Sequence, residues 1–189
     1  DVTACLWWVR HGPTHARGMV GWTDLPADLS DRGALSRLAA ALPPDAPVVS
    51  SDLRRAADTA AALSGDRPRL PPDPRLREMH FGAWEMRRHD EIEAETPDLI
   101  RAFWDRPGEV CPPDGESWQR MARRVSDAAD ELAATGGDVI VVAHFGPILS
   151  QVQRVRPQIG FSQTVAPLSL TRMVRRADGW RATLVDHRP

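Results

Sequence analysis

The sequence predicts an α/β fold, and three observations carry that prediction. Short apolar runs of strand length, Cys5–Val9, Val48–Ser50 and Val139–Ala143, alternate with segments of helical periodicity. Each run ends abruptly, at Arg10-His11-Gly12-Pro13, at Ser51-Asp52 and at His144-Phe145-Gly146-Pro147. No internal repeat, low-complexity tract or linker divides the chain, so one domain spanning residues 1–189 is expected.

The elements follow in order. Cys5–Val9 reads as a buried strand. A helix opens near Leu29-Ser30-Asp31, with Ser30 as N-cap and Leu35, Leu38, Ala39 and Leu42 on its apolar side; Pro43-Pro44 ends it. Val48–Ser50 is a second strand. Asp52–Leu63 is a helix with Leu53, Ala56, Ala60 and Leu63 on one face. Arg67–Pro74 is Pro-rich and expected to be extended. Helical pieces fill residues 88–105, broken at Pro97, and Pro107–Gly115 is a loop. Ser117 caps a long amphipathic helix through Trp118, Met121, Val125, Ala128 and Leu132, which Gly136-Gly137 stops. Val139–Ala143 is the clearest buried strand, and a helix from about Pro147 to Val155 follows. Leu168–Arg175 and Trp180–Val185 form a closing pair of strands about Asp178-Gly179.

Composition removes whole classes of chemistry. All 24 basic residues are Arg, and the chain has neither Lys nor Tyr. A Walker A lysine, a Schiff-base lysine and a tyrosyl acid are therefore ruled out. The formal net charge of −2 carries no basic excess, so no nucleic-acid partner is expected. Two cysteines, Cys5 and Cys111, are too few for a disulfide scaffold or a four-cysteine zinc site. They are expected to be free thiols in a reducing compartment, the cytoplasm. No apolar run approaches the ~18 residues of a membrane span, so no membrane partner is expected. Whether a leader precedes Asp1 stays open.

Two histidines share one local setting. His11 and His144 each follow a buried strand and precede a Gly-Pro-containing turn. In open α/β sheets the ligand crevice lies beyond the C-terminal ends of the strands. Both are expected at one crevice. Arg54 follows the second strand in the first turn of a helix, where a cation opposes the helix dipole unless an anion lies between them. A phosphate would satisfy both, because helix N-termini and the Arg fork each favour it. No metal-ligand spacing is present: there is no His-Glu-x-x-His, and His11 and His15 lack a third partner.

These motifs together resemble the histidine phosphatase superfamily. Arg10-His11-Gly12 with Thr14, Gly21-Trp22, Leu29-Ser30 and Gly33 is similar to its N-terminal signature. Ser50-Ser51-Asp52-Leu53-Arg54-Arg55-Ala56 with Thr59-Ala60 resembles its second motif. Glu78 with Phe81-Gly82 and Trp84-Glu85 resembles the acid-bearing motif, and Ala143-His144-Phe145-Gly146 the second-histidine motif. The likeness runs in order from about Cys5 to Val185. It implies a three-layer α/β/α sandwich with a mostly parallel central sheet, phosphoglycerate mutase-like.

The resemblance also implies roles. His11 would be the nucleophile that becomes phosphohistidine, and Glu78 the proton donor. His144, Arg10 and Arg54 would bind the phosphoryl oxygens, with Thr14 nearby. Pro13 and Arg17 depart from the pattern of many relatives, and Arg17 is expected on the substrate side. Phosphoryl transfer needs in-line positioning and cationic stabilisation of the equatorial oxygens, which Arg forks supply, so neither a metal nor any other cofactor is called for. The expected activity is hydrolysis of a small phosphomonoester. A phosphoglycerate mutase-type phosphotransferase is the alternative. Such mutases carry an extra segment before the second histidine, whereas about sixty residues separate Glu78 from His144. A non-catalytic phosphate-binding protein of the same fold is the third reading. A homodimer is an open assembly, and Arg87-Arg88-His89 is a candidate contact for a second anionic group.

Overall fold

A computed structural model describes all 189 residues. In chain order the elements are β1 (Val2–Arg10), α1 (Arg32–Ala41), β2 (Val48–Ser50), α2 (Arg54–Ser64), α3 (His89–Glu95), α4 (Pro97–Asp105), α5 (Trp118–Ala134), β3 (Gly137–Ala143), α6 (Phe145–Gln153), β4 (Leu170–Arg176) and β5 (Gly179–His187). One sheet holds the strands in the order β2-β3-β1-β4-β5. β2, β3 and β1 are parallel, and β4 and β5 complete the sheet antiparallel. The sheet is thus mixed, with its parallel part at one side.

Side-chain alternation along the central strands builds the layers. Leu6 and Trp8 of β1 and Val139, Val141 and Ala143 of β3 point to one face, where α3–α6 pack with Ile92, Phe103, Met121, Val125 and Leu149. Val9, Ile140 and Val142 point to the other, against Leu35 and Leu38 of α1 and Ala56, Ala60 and Leu63 of α2. Strands buried on both faces read as continuous apolar runs, which is why β1 and β3 were legible without any period-2 pattern. The result is a three-layer α/β/α sandwich.

Local chemistry shifts some boundaries. The N-cap of α1 is Asp31, not Ser30: its carboxylate accepts from the Ala34 amide, while Asp28 takes the Ser30 amide. α6 starts at Phe145, so Pro147 lies in the first turn, where a missing N–H costs nothing. Gly136 and Gly137, both at positive φ, turn the chain from α5 directly into β3.

The extended segment 68–73 runs along the edge of β2. Val48 donates to the Pro68 carbonyl, Leu70 to that of Val48 and Asp73 to that of Ser50. This track carries the following residues, up to Glu78, to the C-terminal end of the parallel strands.

Candidate active site

The register of the parallel strands brings the site together. Arg10 pairs with Ala143 across β1 and β3, and Ser50 pairs with Val142 across β2 and β3. The next residues, His11, His144 and Ser51, therefore emerge side by side. The His11 amide donates to the Ala143 carbonyl, and the Ser51 amide to that of Val142. The two imidazole rings lie 5.0 Å apart between centroids. Both histidines are buried, as is Glu78.

His11 has one defined tautomer. Its Nδ1 lies 2.6 Å from the Gly12 carbonyl, which only a protonated nitrogen can satisfy. The lone pair is left on Nε2, where Arg55 Nε approaches to 3.3 Å. Burial is the main cause that pulls the His11 pKa down to about 3, with Arg55 and Arg10 adding in the same direction. His11 is thus a neutral imidazole over the ordinary pH range. His144 is likewise held well below the ordinary histidine value, first by burial and then by His11 and the arginines. Its Nε2 meets the Ser51 hydroxyl at 2.7 Å, and its buried Nδ1 has no partner.

Arg55 is buried and fixed by carbonyls. Its Nη1 donates to Thr23 at 2.8 Å and its Nη2 to Gly21 at 2.6 Å. The loop that supplies those carbonyls is itself tied down by Glu85, which accepts from the amides of Gly21 and Trp22 and from the Thr23 hydroxyl. A chain of contacts therefore runs from Glu85 through the Gly21–Thr23 loop to Arg55 and on to His11. One turn along α2, Thr59 accepts from the Gly12 amide at 3.0 Å and fixes the His11 backbone. Arg10 enters from β1; its Nη1 donates to the Val165 carbonyl at 2.6 Å, and its buried Nε has no partner.

Glu78 sits against the start of α6. One carboxylate oxygen accepts from the Gly146 amide at 3.0 Å and the other from its neighbour Met79 at 2.8 Å. Burial raises the Glu78 pKa, with these two amides and the nearby Arg55 and Arg10 opposing the rise. Its main chain is clamped: the carbonyl accepts from Arg124 Nη2 and from Trp22 Nε1, each at 2.8 Å. Arg124 Nη1 also holds the carbonyls of Arg75 and Arg77. A side chain at position 146 would have to displace the Glu78 carboxylate, since a Cβ there would stand 2.1 Å from one of its oxygens.

The structure thus gathers His11, His144, Glu78 and Arg10, four of the residues expected from sequence. It does not gather Arg54. The Arg54 side chain is exposed, and its amide donates to the Asp24 carboxylate at 2.7 Å. Asp24 is therefore the anion that meets the start of α2, and the buried arginine is the next residue, Arg55. Helical spacing held a signal: Arg55, Thr59 and Leu63 form one i, i+4 row on the buried side, whereas Arg54 shares its row with exposed Asp58. Thr14 is half-buried and its hydroxyl accepts, at 3.4 Å, from the Ala16 amide; Arg17 is exposed. Neither side chain hydrogen-bonds to the cluster. Arg87, Arg88 and His89 pair with Glu95, Glu91 and Glu93 on the surface. Ser51, Thr59, Glu85 and Arg124 entered no sequence-derived role, because their contributions rest on contacts between distant segments.

The sequence model of the histidine phosphatase superfamily (branch 1) matches residues 6–187. Glucosyl-3-phosphoglycerate phosphatase of Mycolicibacterium vanbaalenii is 41% identical over 156 residues, 74% of this chain and 68% of that protein. Adenosylcobalamin/alpha-ribazole phosphatase of Salmonella typhimurium is 31% identical over 160 residues, 79% of this chain and 78% of that protein. Among solved structures, Bacillus stearothermophilus YhfR superposes with a TM-score of 0.87 at 26% identity, covering 97% of each chain. The native mycobacterial glucosyl-3-phosphoglycerate phosphatase gives 0.81 at 27% identity, covering 98% of this chain and 99% of that one.

Proposed function

The chain belongs to the histidine phosphatase superfamily, branch 1, and on that premise we propose that it hydrolyses small phosphomonoesters through a phosphohistidine on His11. The observation that carries the assignment is the neutral His11, with Nδ1 locked on the Gly12 carbonyl and its Nε2 lone pair beside the Arg55 guanidinium.

Nε2 of neutral His11 attacks phosphorus in line with the ester oxygen. A phosphoryl oxygen takes over the Arg55 Nε–H that now points at Nε2. Arg10 Nε and His144 Nδ1, both buried without partners, supply further contacts to the phosphoryl group. As the P–O bond breaks, protonated Glu78 gives its proton to the departing oxygen. The product alcohol leaves and a phosphohistidine remains. Water then attacks phosphorus, Glu78 carboxylate takes its proton, and the P–N bond breaks to return neutral His11. Every charge this needs comes from the chain, so the reaction proceeds without a metal.

Transfer to water, rather than to a second metabolite, is supported by the relatives, which are named as phosphatases. The same proposal treats residues 1–189 as one catalytic unit working in the cytoplasm, with a homodimer to be tested by sedimentation. No helix is long and apolar enough to cross a membrane.

The test is turnover of a panel of natural phosphomonoesters in EDTA, with a denaturing quench above neutral pH to trap phosphohistidine. Label should appear on wild type and vanish in His11→Ala. Turnover that survives in His11→Ala removes the nucleophile assignment.

A further inference from the structure

Beside Glu78 the structure holds an apolar cavity of about 130 Å³. Phe81, Phe103, Trp104, Trp118, Phe145 and Phe161 form most of its wall, and Glu78 and Gly146 complete the end next to the reactive cluster. The aromatic rings brace one another. Phe161 meets both Trp104 and Trp118 edge-on at 5.0 Å, and Trp104 meets Phe103 at 5.1 Å. Such edge-to-face contacts hold the walls apart before any ligand arrives. The mouth lies at exposed Trp104 and half-buried Phe161 and Phe145.

Two contacts fix the direction of this cavity relative to phosphorus. Glu78 lines it, and an acid that protonates a departing oxygen must stand next to the carbon side of the ester bond. Phe145 lines it as well, and the Arg10 guanidinium stands 5.8 Å from the Phe145 ring centroid. Arg10 and the apolar space thus both adjoin Phe145.

We propose that this cavity is the leaving-group subsite and takes phosphomonoesters whose alcohol carries a compact apolar or aromatic group, in preference to sugar phosphates and phosphoglycerates. The inference rests on the phosphohydrolase reading for the orientation of the ester. Its size suits one ring, since an apolar cavity of about 150 Å³ admits a benzene-sized ligand. No cationic side chain lines it, so nothing there would meet a second carboxylate or phosphate. Arg77, Arg87 and Arg88 are already paired, with Asp52, Glu95 and Glu91. A sugar entering the cavity would give up hydrogen bonds to water and find only Glu78 in exchange.

The experiment uses primary alcohols of similar leaving ability. Wild-type kcat/KM for benzyl and n-butyl phosphate is compared with that for glycerol phosphate and phosphoglycerate, and the series is repeated in the rim variants Trp104→Ala and Phe161→Ser. Benzyl phosphate should exceed glycerol phosphate by about tenfold or more, the scale expected for filling an apolar pocket. The variants should cut that ratio at least fivefold. A wild-type ratio at or below one, or a ratio unmoved in both variants, overturns the subsite. Titration calorimetry with benzylphosphonate and methylphosphonate, which cannot be hydrolysed, gives a readout independent of chemistry. Benzylphosphonate should bind about tenfold tighter, and equal affinity overturns the subsite. Preferential benzylphosphonate binding without hydrolysis of any ester would uphold the subsite and reject the phosphatase reading instead.

Discussion

Arg55 Nε donates to His11 Nε2 at 3.3 Å, with both Nη atoms committed to the carbonyls of Gly21 and Thr23. The guanidinium is therefore aimed before substrate arrives. Arg55→Ala should lower kcat/KM by about 10²–10³, the scale for loss of one preorganised donor to developing charge. It should also lower Tm, because two carbonyls lose their donors. Arg55→Lys should not restore activity, since an ammonium cannot hold both carbonyls and the phosphoryl oxygen in one plane. Arg54→Ala should stay within about twofold of wild type, as exposed substitutions do. Steady-state kinetics on the three variants decide it, and equal losses in Arg54→Ala and Arg55→Ala would count against the Arg55 assignment.

The Glu78 carboxylate occupies the space where a Cβ of residue 146 would stand. Gly146→Ala should displace the Glu78 carboxyl while the fold persists. The loss should depend on the leaving group: about 10²-fold or more for an alkyl phosphate that needs protonation, much less for an activated aryl phosphate. Gly108→Ala, with nothing within 4 Å of the added methyl, is the neutral control. A uniform loss across leaving groups would point to general damage.

Glu78 carries a raised pKa and His11 a lowered one, of about 3. The proposed mechanism requires Glu78 protonated and His11 neutral, so kcat/KM should fall as pH rises through the Glu78 pKa. The acidic limb should lie far below the usual histidine range. Glu78→Gln should lose the alkaline limb that belongs to Glu78 and most of its turnover of alkyl esters. An unchanged pH–rate profile in that variant would dismiss Glu78 as the acid.

Stability has its own pH dependence. His11 binds its proton near pH 3 when folded and near the ordinary histidine value when unfolded, so between these the unfolded chain holds more protons. Stability from this group is present above pH ~6.5 and is lost as pH falls; at pH 5 the loss is about 2 kcal/mol. His144 adds in the same direction, and Glu78, whose folded pKa is raised, opposes it above pH ~4.5. Chemical denaturation from pH 7 to pH 5 should show this fall, with a shallower slope in His11→Gln. An identical slope in the variant would contradict a buried, neutral His11.

Glu85 is linked to His11 only through other residues. It accepts from the Gly21 and Trp22 amides and from the Thr23 hydroxyl, and this loop in turn holds Arg55. Glu85→Ala should weaken phosphate binding by about tenfold or more, the scale of one lost charge-assisted hydrogen bond, and Arg55→Ala should add little on top of it. Calorimetry with inorganic phosphate on the single and double variants measures that coupling; additive losses would separate the two residues.

The architecture and the two histidines were legible in local sequence pattern alone. Apolar runs bounded by Gly and Pro mark β1, β2 and β3, because strands buried on both faces need unbroken apolar side chains. His11 and His144 sit at strand ends, where the crevice of an α/β sheet lies. Leaving aside the family resemblance, local pattern was silent on Glu78, which reaches the site only because residues 68–73 track along β2 and Arg124 clamps the segment that follows. Tertiary structure also decided between neighbouring arginines. Both stand in the first turn of α2, but successive helical residues lie about 100° apart. Arg54 is exposed, while Arg55 is buried beneath the Gly21–Thr23 loop with its Nε against His11.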